Sequence, residues 1–435
     1  SWGTNIDPRG IDYGGALYNR TTDPRHKELV QEYFTKLKQS GFLKQQSMKQ
    51  YCSINSEGIT KFLPDRYVEG ECPICGSDGA RGDQCDECGS TYESSELVNP
   101  RSKMDPDAKI EIRDTEHFFF QLNQFQNELE KHSITKQKVW KPNVRAMTKN
   151  WLNMGLRPRA VTRDMEWGIE LPLSENEWET KRIYVWFEAV QGYLTCSQIW
   201  SERFSDNPDD WMKWWVKSDE GAEPKHIYFM GKDNIPFHTV IWPAIIMGLN
   251  SSNSGNPPSS DIDSGELVLE SNVPAMEYLM LQGGQFSKSR KHAVWLPSFL
   301  EHHNPDTLRY FLSINMPEGH DTDFRWEEYV DKVNNELIGT YGNFVHRVMT
   351  LSHRLDSENG TNPLLQYFDS SDHVETNEKI QTLLESAIAS MEKQRFKEAL
   401  RSLMNISQIG NGLIQHSEPW KYMREADTPE KSKSL

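Results

Sequence analysis

Two cysteine hooks, Cys72-x2-Cys75 and Cys85-x2-Cys88, restrict the local fold of this chain more than any other feature of its sequence. Hooks of this kind, at about this separation, place four thiolates tetrahedrally around one zinc ion. Four sulfurs leave no open coordination position, so such a metal staples a fold and activates no water. The competing readings are a redox pair, or two disulfides formed in an oxidising compartment. Cys52 and Cys196 stand alone, however, unlike the even scatter of a secreted disulfide framework. The hooks are therefore read as ligands of one structural Zn2+, within a small module of short strands and turns between Tyr51 and Glu96.

That module must be an insertion in something larger, because 435 residues exceed what one hydrophobic core organises. The 14 Trp and 18 Phe supply ample core material. No run approaches the roughly 18 to 20 apolar residues of a membrane span, and Ser1 opens into polar sequence, so a cytoplasmic location without a membrane partner is expected. A net charge of -16 argues against DNA binding and requires any RNA contact to be local.

Asp23 before Pro24, then Leu29, Val30, Tyr33, Phe34 and Leu37 at helical spacing and Gly41 as a stop, predict a helix. The apolar runs Ile183 to Phe187 and His226 to Met230 read as buried strands. Gly231, Lys232 and Asp233 follow the second, at the strand end where open α/β sheets hold ligands. The stretch "NSSNSGNPPSSDIDSG" at 250–265 reads as a mobile surface spacer. Beyond Trp326, three helical stripes predict a bundle: Val330, Val333, Leu337, Tyr341, Val345 and Val348; then Ile380 to Met391; then Phe396 to Met404.

In "LQGGQFSKSR", Gly283 and Gly284 give backbone freedom while Ser287, Lys288, Ser289 and Arg290 supply hydroxyl and cationic donors. This is the inventory of a phosphate clamp, although such a triplet is also common on solvated loops. "FSKS" resembles the Lys-Met-Ser-Lys-Ser signature of class I aminoacyl-tRNA synthetases. "FLPDRYVEGECPICG", "RAVTRDMEWGIELP", "YVWFEAVQGY", "GKDNIPFHTVIWPA", "NNELIGTYGNFVHR" and "EPW", in this order, are similar to motifs of the methionyl-tRNA synthetase family. The resemblance runs over nearly the whole chain. It implies an α/β fold, with a Rossmann-type parallel-sheet catalytic domain carrying a zinc-knuckle connective insertion, followed by an all-α anticodon-binding bundle. Mapped onto the chain, 1–48 would be the remainder of the first half of the catalytic domain, 49–150 the insertion and 151–296 the second half. Residues 297–325 would be a stem-contact linker, and 326–435 the anticodon-binding domain.

Carried over residue by residue, the resemblance implies a methionine site of Trp186, Ala189, Tyr193 and His238. Aromatic walls with one hydroxyl or imidazole donor suit a thioether, a weak acceptor with strong dispersion contacts. Val190 stands where the family usually has proline. Gly231, Lys232 and Asp233 with Lys288 are implied to bind ATP, and Lys288, Ser287 and Ser289 to act in catalysis; Gln285 replaces the first lysine of the signature. Gly339, Asn343 and Arg347 fall at i, i+4 and i+8, and Asn343, Arg347 and Trp420 match positions that read the CAU anticodon in the family. The implied partners are methionine, ATP with Mg2+, and the initiator and elongator tRNA(Met). The implied reaction is methionine and ATP giving methionyl-adenylate and pyrophosphate, then transfer to the tRNA.

The His-Ile-Gly-His motif of class I enzymes does not occur in the sequence, and "SWGT" at Ser1 resembles the segment that follows it in the family. Asn5 to Tyr18 is also shorter than the family's equivalent. These 435 residues alone are therefore expected to be inactive or nearly so in adenylate formation. Two rival readings remain: another class I synthetase, which the compact four-cysteine module does not suit, and a non-catalytic tRNA-binding derivative.

Overall fold

The computed structural model describes residues 19–424 except 55–59, 64–66, 82–84, 86–91, 93–95, 104, 106–107, 289 and 360–372. The helix expected after Asp23 spans Pro24–Gln39. Asp23 accepts from the Arg25 amide at 2.9 Å, and Pro24 brings a helical φ to the first turn. Leu29, Val30, Tyr33, Phe34 and Leu37 all face inward. Gly41, at φ +78°, turns the chain back so that the Phe42 amide bonds the Leu37 carbonyl at 2.9 Å.

A strand, Leu43–Ile54, follows at once and pairs antiparallel with Lys109–Phe120, from Leu43 opposite Phe120 to Ile54 opposite Lys109. At ~3.4 Å per residue such a ribbon reaches about 40 Å. The cysteine module occupies the connection at its far end, with a three-stranded antiparallel sheet of its own. Its small core joins Tyr51, Leu63, Val68 and Leu97 to Cys72 and Cys85. The domain boundary expected at 48/49 falls inside the first ribbon strand, and that at 150/151 inside the helix Pro142–Asn153.

Three expectations need correction. The strand at Ile183 ends there, spanning Lys181–Ile183, and Val185–Ala189 is helical. The helical turn brings Glu188 inward to the buried His26, whose Nε2 lies 2.8 Å from Oε2, while Trp186 stays 39% exposed. The run His226–Met230 is not a buried strand: Tyr228 is buried but Ile227 and Phe229 are exposed, and the strand proper is Met230–Gly231, parallel to Ala275–Met276. The stretch 250–265 is not a free spacer. Its start completes the helix Trp242–Ser254, Ser260 donates from its amide and hydroxyl to Glu128 Oε2 at 3.0 Å each, and Lys217 Nζ donates to the Ile262 carbonyl.

Contacts divide the chain into two compact units. One comprises the chain to Tyr228 with Asp233–Val273 and holds the ribbon, the cysteine module and the first helices. The other comprises Phe229–Lys232 and the chain from Pro274. In it Leu279–Leu281 runs parallel to Thr322–Phe324, above a core of Leu281, Phe299, Leu308, Phe311, Phe324, Tyr329 and Val333. The three predicted stripes all lie on helical segments, running from Trp326–Asp331 through a π-helical stretch, Lys332–Gly342, into Asn343–Asn359, then Val374–Glu392 and Phe396–Ser417. Of the first stripe Val333 is buried, whereas Val330, Tyr341 and Val345 are exposed. The fold is α/β with a helical C-terminal region.

Candidate functional site

The short helix Val185–Ala189 and the next one, Gly192–Phe204, carry Trp186 and Tyr193, which pack in two aromatic groups linked through the consecutive Phe237 and His238. Trp186 packs on Phe237 with ring centroids 5.4 Å apart, and Tyr193 on Tyr228 at 4.8 Å. His238 lies against both tyrosines, at 5.5 and 5.6 Å, on a π-helical turn, Phe237–Ile241. Such wide turns within helices are frequent at functional sites. The tautomer of His238 follows from its neighbours: the Asn234 carbonyl, 2.9 Å from Nδ1, can only accept, so Nδ1 carries the proton and Nε2 accepts from the Tyr193 hydroxyl at 2.8 Å. Burial lowers the pKa of His238 and raises that of Tyr193, so both are neutral near pH 7. Tyr193 and Trp186 are each 39% exposed, so the cluster offers an open aromatic face with one phenol-imidazole pair. Ala189 is half-buried on the same short helix, and Val190 is buried behind it.

In the C-terminal unit, Lys232 Nζ is bonded to Glu277 Oε2 at 2.7 Å and Asp321 Oδ1 at 3.2 Å, and sits 4.2 Å above the Tyr278 ring. Burial opposes its charge, but the two carboxylates outweigh this and its pKa is raised. The segment around Lys288 is a pair of tight turns. Gln282 and Gly283, at φ 48° and 79°, close a hairpin between Leu279–Leu281 and Gly284–Gln285, which only residues tolerant of the left-handed region allow. Ser287 and His292 then exchange backbone bonds of 2.9 and 3.0 Å, with exposed Lys288 as the first residue of the turn between them, while His292 Nε2 meets the Leu281 carbonyl at 2.8 Å. Ser289 lies outside the described residues.

Asn343, Arg347 and Trp420 come together on the bundle. The Arg347 guanidinium is 5.6 Å from the Trp420 ring centroid. Asn343 Nδ2 and Arg347 donate to Asn411 Oδ1 at 3.2 and 3.4 Å, and Arg347 also reaches Gln415 Oε1 at 3.4 Å. Gly339 is on the π-helical stretch, where a Cβ would meet the Asn334 carbonyl oxygen at 2.9 Å.

The thiolate positions of Cys72, Cys75 and Cys85 lie within 4.8 Å of one another and could hold a metal ion. The amides of Ile74 and Cys75 point at Cys72 Sγ, each at 3.4 Å, an arrangement that favours a thiolate there. Cys88 lies outside the described residues.

Residues 10–349 match the family described as tRNA synthetases class I (M). The chain belongs to that family. Among relatives of this chain, the methionine–tRNA ligase of Roseiflexus sp. (strain RS-1) is 38% identical over 410 residues, 94% of this chain and 65% of its own length. That of Chloroflexus aurantiacus is 39% identical over 426 residues, 97% of this chain and 68% of its own. The chain thus spans about two thirds of the length of these relatives. The crystal structure of Mycobacterium tuberculosis methionyl-tRNA synthetase bound by methionyl-adenylate has the same fold, with a TM-score of 0.68 at 21% identity, over 98% of this chain and 71% of that one.

Several residues of these clusters were not singled out by the sequence. Tyr228 stands just before the motif GKDNIPFHTVIWPA and Phe237 inside it, and both look like ordinary core residues, while Asn411 and Gln415 look like the solvated face of a helix. Their spacing of four did carry a signal, since it places both on one side of the Phe396–Ser417 helix.

Proposed function

We propose that the protein acts as a methionine–tRNA ligase, activating methionine with ATP and transferring it to tRNA(Met). The observation that carries this reading is the Tyr193–His238 pair set in an aromatic face with Trp186, Tyr228 and Phe237. A thioether sulfur makes favourable contacts with ring edges and competes for the single Tyr193 proton, whereas an aliphatic side chain of equal length leaves that polar pair unengaged. Ala189 supplies a small wall beside Trp186. The pair is neutral, as an uncharged side chain requires.

For activation, the methionine carboxylate attacks the α-phosphorus of ATP and pyrophosphate leaves. Negative charge moves onto the departing phosphates, and a fixed cation there lowers the barrier. The exposed Lys288 is assigned this role, with Ser287 and Ser289 as hydroxyl donors. Gly231, Lys232 and Asp233 are assigned to the ATP nucleoside, Gly231 for close backbone approach and Asp233 as an acceptor for ribose hydroxyls. Lys232, already bonded to Glu277 and Asp321, orders that segment rather than pairing with a phosphate. Mg2+ would enter with ATP. Cys72, Cys75, Cys85 and Cys88 would hold one Zn2+, which supplies a covalent staple and no reaction step. Asn343, Arg347 and Trp420 are assigned to the anticodon, by stacking on the indole and hydrogen bonds to base edges. Residues 1–48 and 151–296 are proposed as the catalytic domain, 49–150 as its insertion, 297–325 as the stem-contact segment and 326–435 as the anticodon-binding domain. We place the protein in the cytoplasm; among the described residues no helix is long and apolar enough to cross a membrane.

Titration of tryptophan fluorescence with a non-hydrolysable methionyl-adenylate analogue, beside its leucyl counterpart, tests the assignment. The methionyl compound is expected to bind at least about tenfold tighter. Equal affinities would contradict it.

A further inference from the structure

We propose that Asn411, resting on the anticodon reading above, is a positioning residue that fixes which edge of Asn343 faces the RNA, and thereby sets a preference for cytosine over uracil. Asn411 is half-buried on the Phe396–Ser417 helix. Its Nδ2 donates to the Thr340 carbonyl at 2.9 Å, a partner that can only accept, so its Oδ1 must face the other way. That oxygen meets Arg347, which can only donate, at 3.4 Å, and the Asn343 amide at 3.2 Å. The orientation of Asn343 is therefore dictated by chemistry: the group turned to Asn411 is its NH2, and its carbonyl oxygen is displayed on the exposed side.

The cluster then presents one acceptor, Asn343 Oδ1, beside the donors of Arg347, whose guanidinium lies over the Trp420 ring. Cytosine offers the complementary edge, an amino donor at N4 followed by acceptors at N3 and O2. Uracil offers the reverse at its first two positions, an acceptor at O4 and a donor at N3. A uracil would face acceptor against acceptor unless Asn343 flipped, and a flip would break the bond to Asn411. Close approach of the helices accompanies this contact: at Gly410 a Cβ would stand 2.2 Å from the Phe344 ring.

The test is binding of the full chain to an RNA stem-loop carrying CAU and to the same stem-loop carrying UAU. The unaltered protein is expected to prefer CAU by about tenfold or more. In Asn411→Ala the preference should shrink to about threefold or less, because a freed Asn343 amide turns its NH2 to uracil. Asn411→Asp, which keeps the acceptor for Asn343 and Arg347, should retain the preference. The near-isosteric Asn411→Leu carries the same expectation as the alanine variant if that one does not fold. A preference kept in Asn411→Ala, including the case where both affinities fall together, would overturn the proposal and leave the anticodon reading standing. Absence of any preference in the unaltered protein would instead remove the anticodon reading itself, and this proposal with it.

Discussion

The hydroxyl of Tyr193 donates to Nε2 of His238 at 2.8 Å, with the far side of the imidazole held by the Asn234 carbonyl. Removing the donor in Tyr193→Phe leaves a buried imidazole nitrogen without its partner, at a cost of about 1 kcal/mol in stability. Methionine affinity should fall about tenfold while that of norleucine, its methylene counterpart, changes little. Calorimetric titration with both amino acids and a thermal melt separate the two effects. Equal losses for both ligands would show that the hydroxyl serves packing alone.

Mild acid should destabilise the protein. Burial lowers the pKa of His117, His226 and His238 below the ordinary 6.5 in the folded chain. The unfolded chain then binds more protons than the folded one below about pH 6.5, so stability is fully present above that value and is lost as pH falls through the folded pKa values. Melting temperatures measured from pH 7.5 to 5 should decline through the lower part of this window. A flat profile over that range would contradict the burial of these rings as neutral groups.

Metal analysis should find one zinc per chain. Cys72→Ser or Cys85→Ser, each replacing a buried sulfur in the small core with Tyr51, Leu63 and Val68, should release the metal and expose the module to proteolysis. Methionine binding should be unaffected, because a closed sulfur site offers no position to a substrate. Loss of methionine binding on chelation would assign the metal a different role.

Gly410→Ala places a methyl group against Phe344, where the ideal Cβ is 2.2 Å from the ring. Overpacking of this sort costs about 1–3 kcal/mol. A denaturant titration followed by circular dichroism should show the loss, and RNA stem-loop affinity should fall with it. An unchanged midpoint would mean that Phe344 has room to turn aside.

Much of this was legible in the residues. The Pro24–Gln39 helix announced its cap, its apolar face and its stop, all local signals. The cysteine spacing pointed to its module, where the sulfurs of Cys72, Cys75 and Cys85 do gather within 4.8 Å of one another. What escaped depends on distant partners. Val185–Ala189 looked like strand because apolar runs of this length fit either state, and Glu188 turns inward only because His26, 162 residues away in sequence, is there to meet it. The polar stretch at 250–265 is anchored by Glu128, equally invisible to a local window. The helical stripes found the helices of the bundle but not their buried side, as exposed Tyr341 and Val345 show. Asn411 hid as one polar residue among many on a helix.

The most direct measurement is the proton and carbon resonance of methyl-labelled methionine added to the protein. Seated against Trp186 and Phe237, whose rings are 5.4 Å apart, the methyl group should move upfield by ring currents, and that displacement should vanish in Trp186→Ala and shrink in Tyr193→Phe. A saturable shift that neither substitution alters, or no shift at millimolar methionine, would contradict a thioether site at the Tyr193–His238 face.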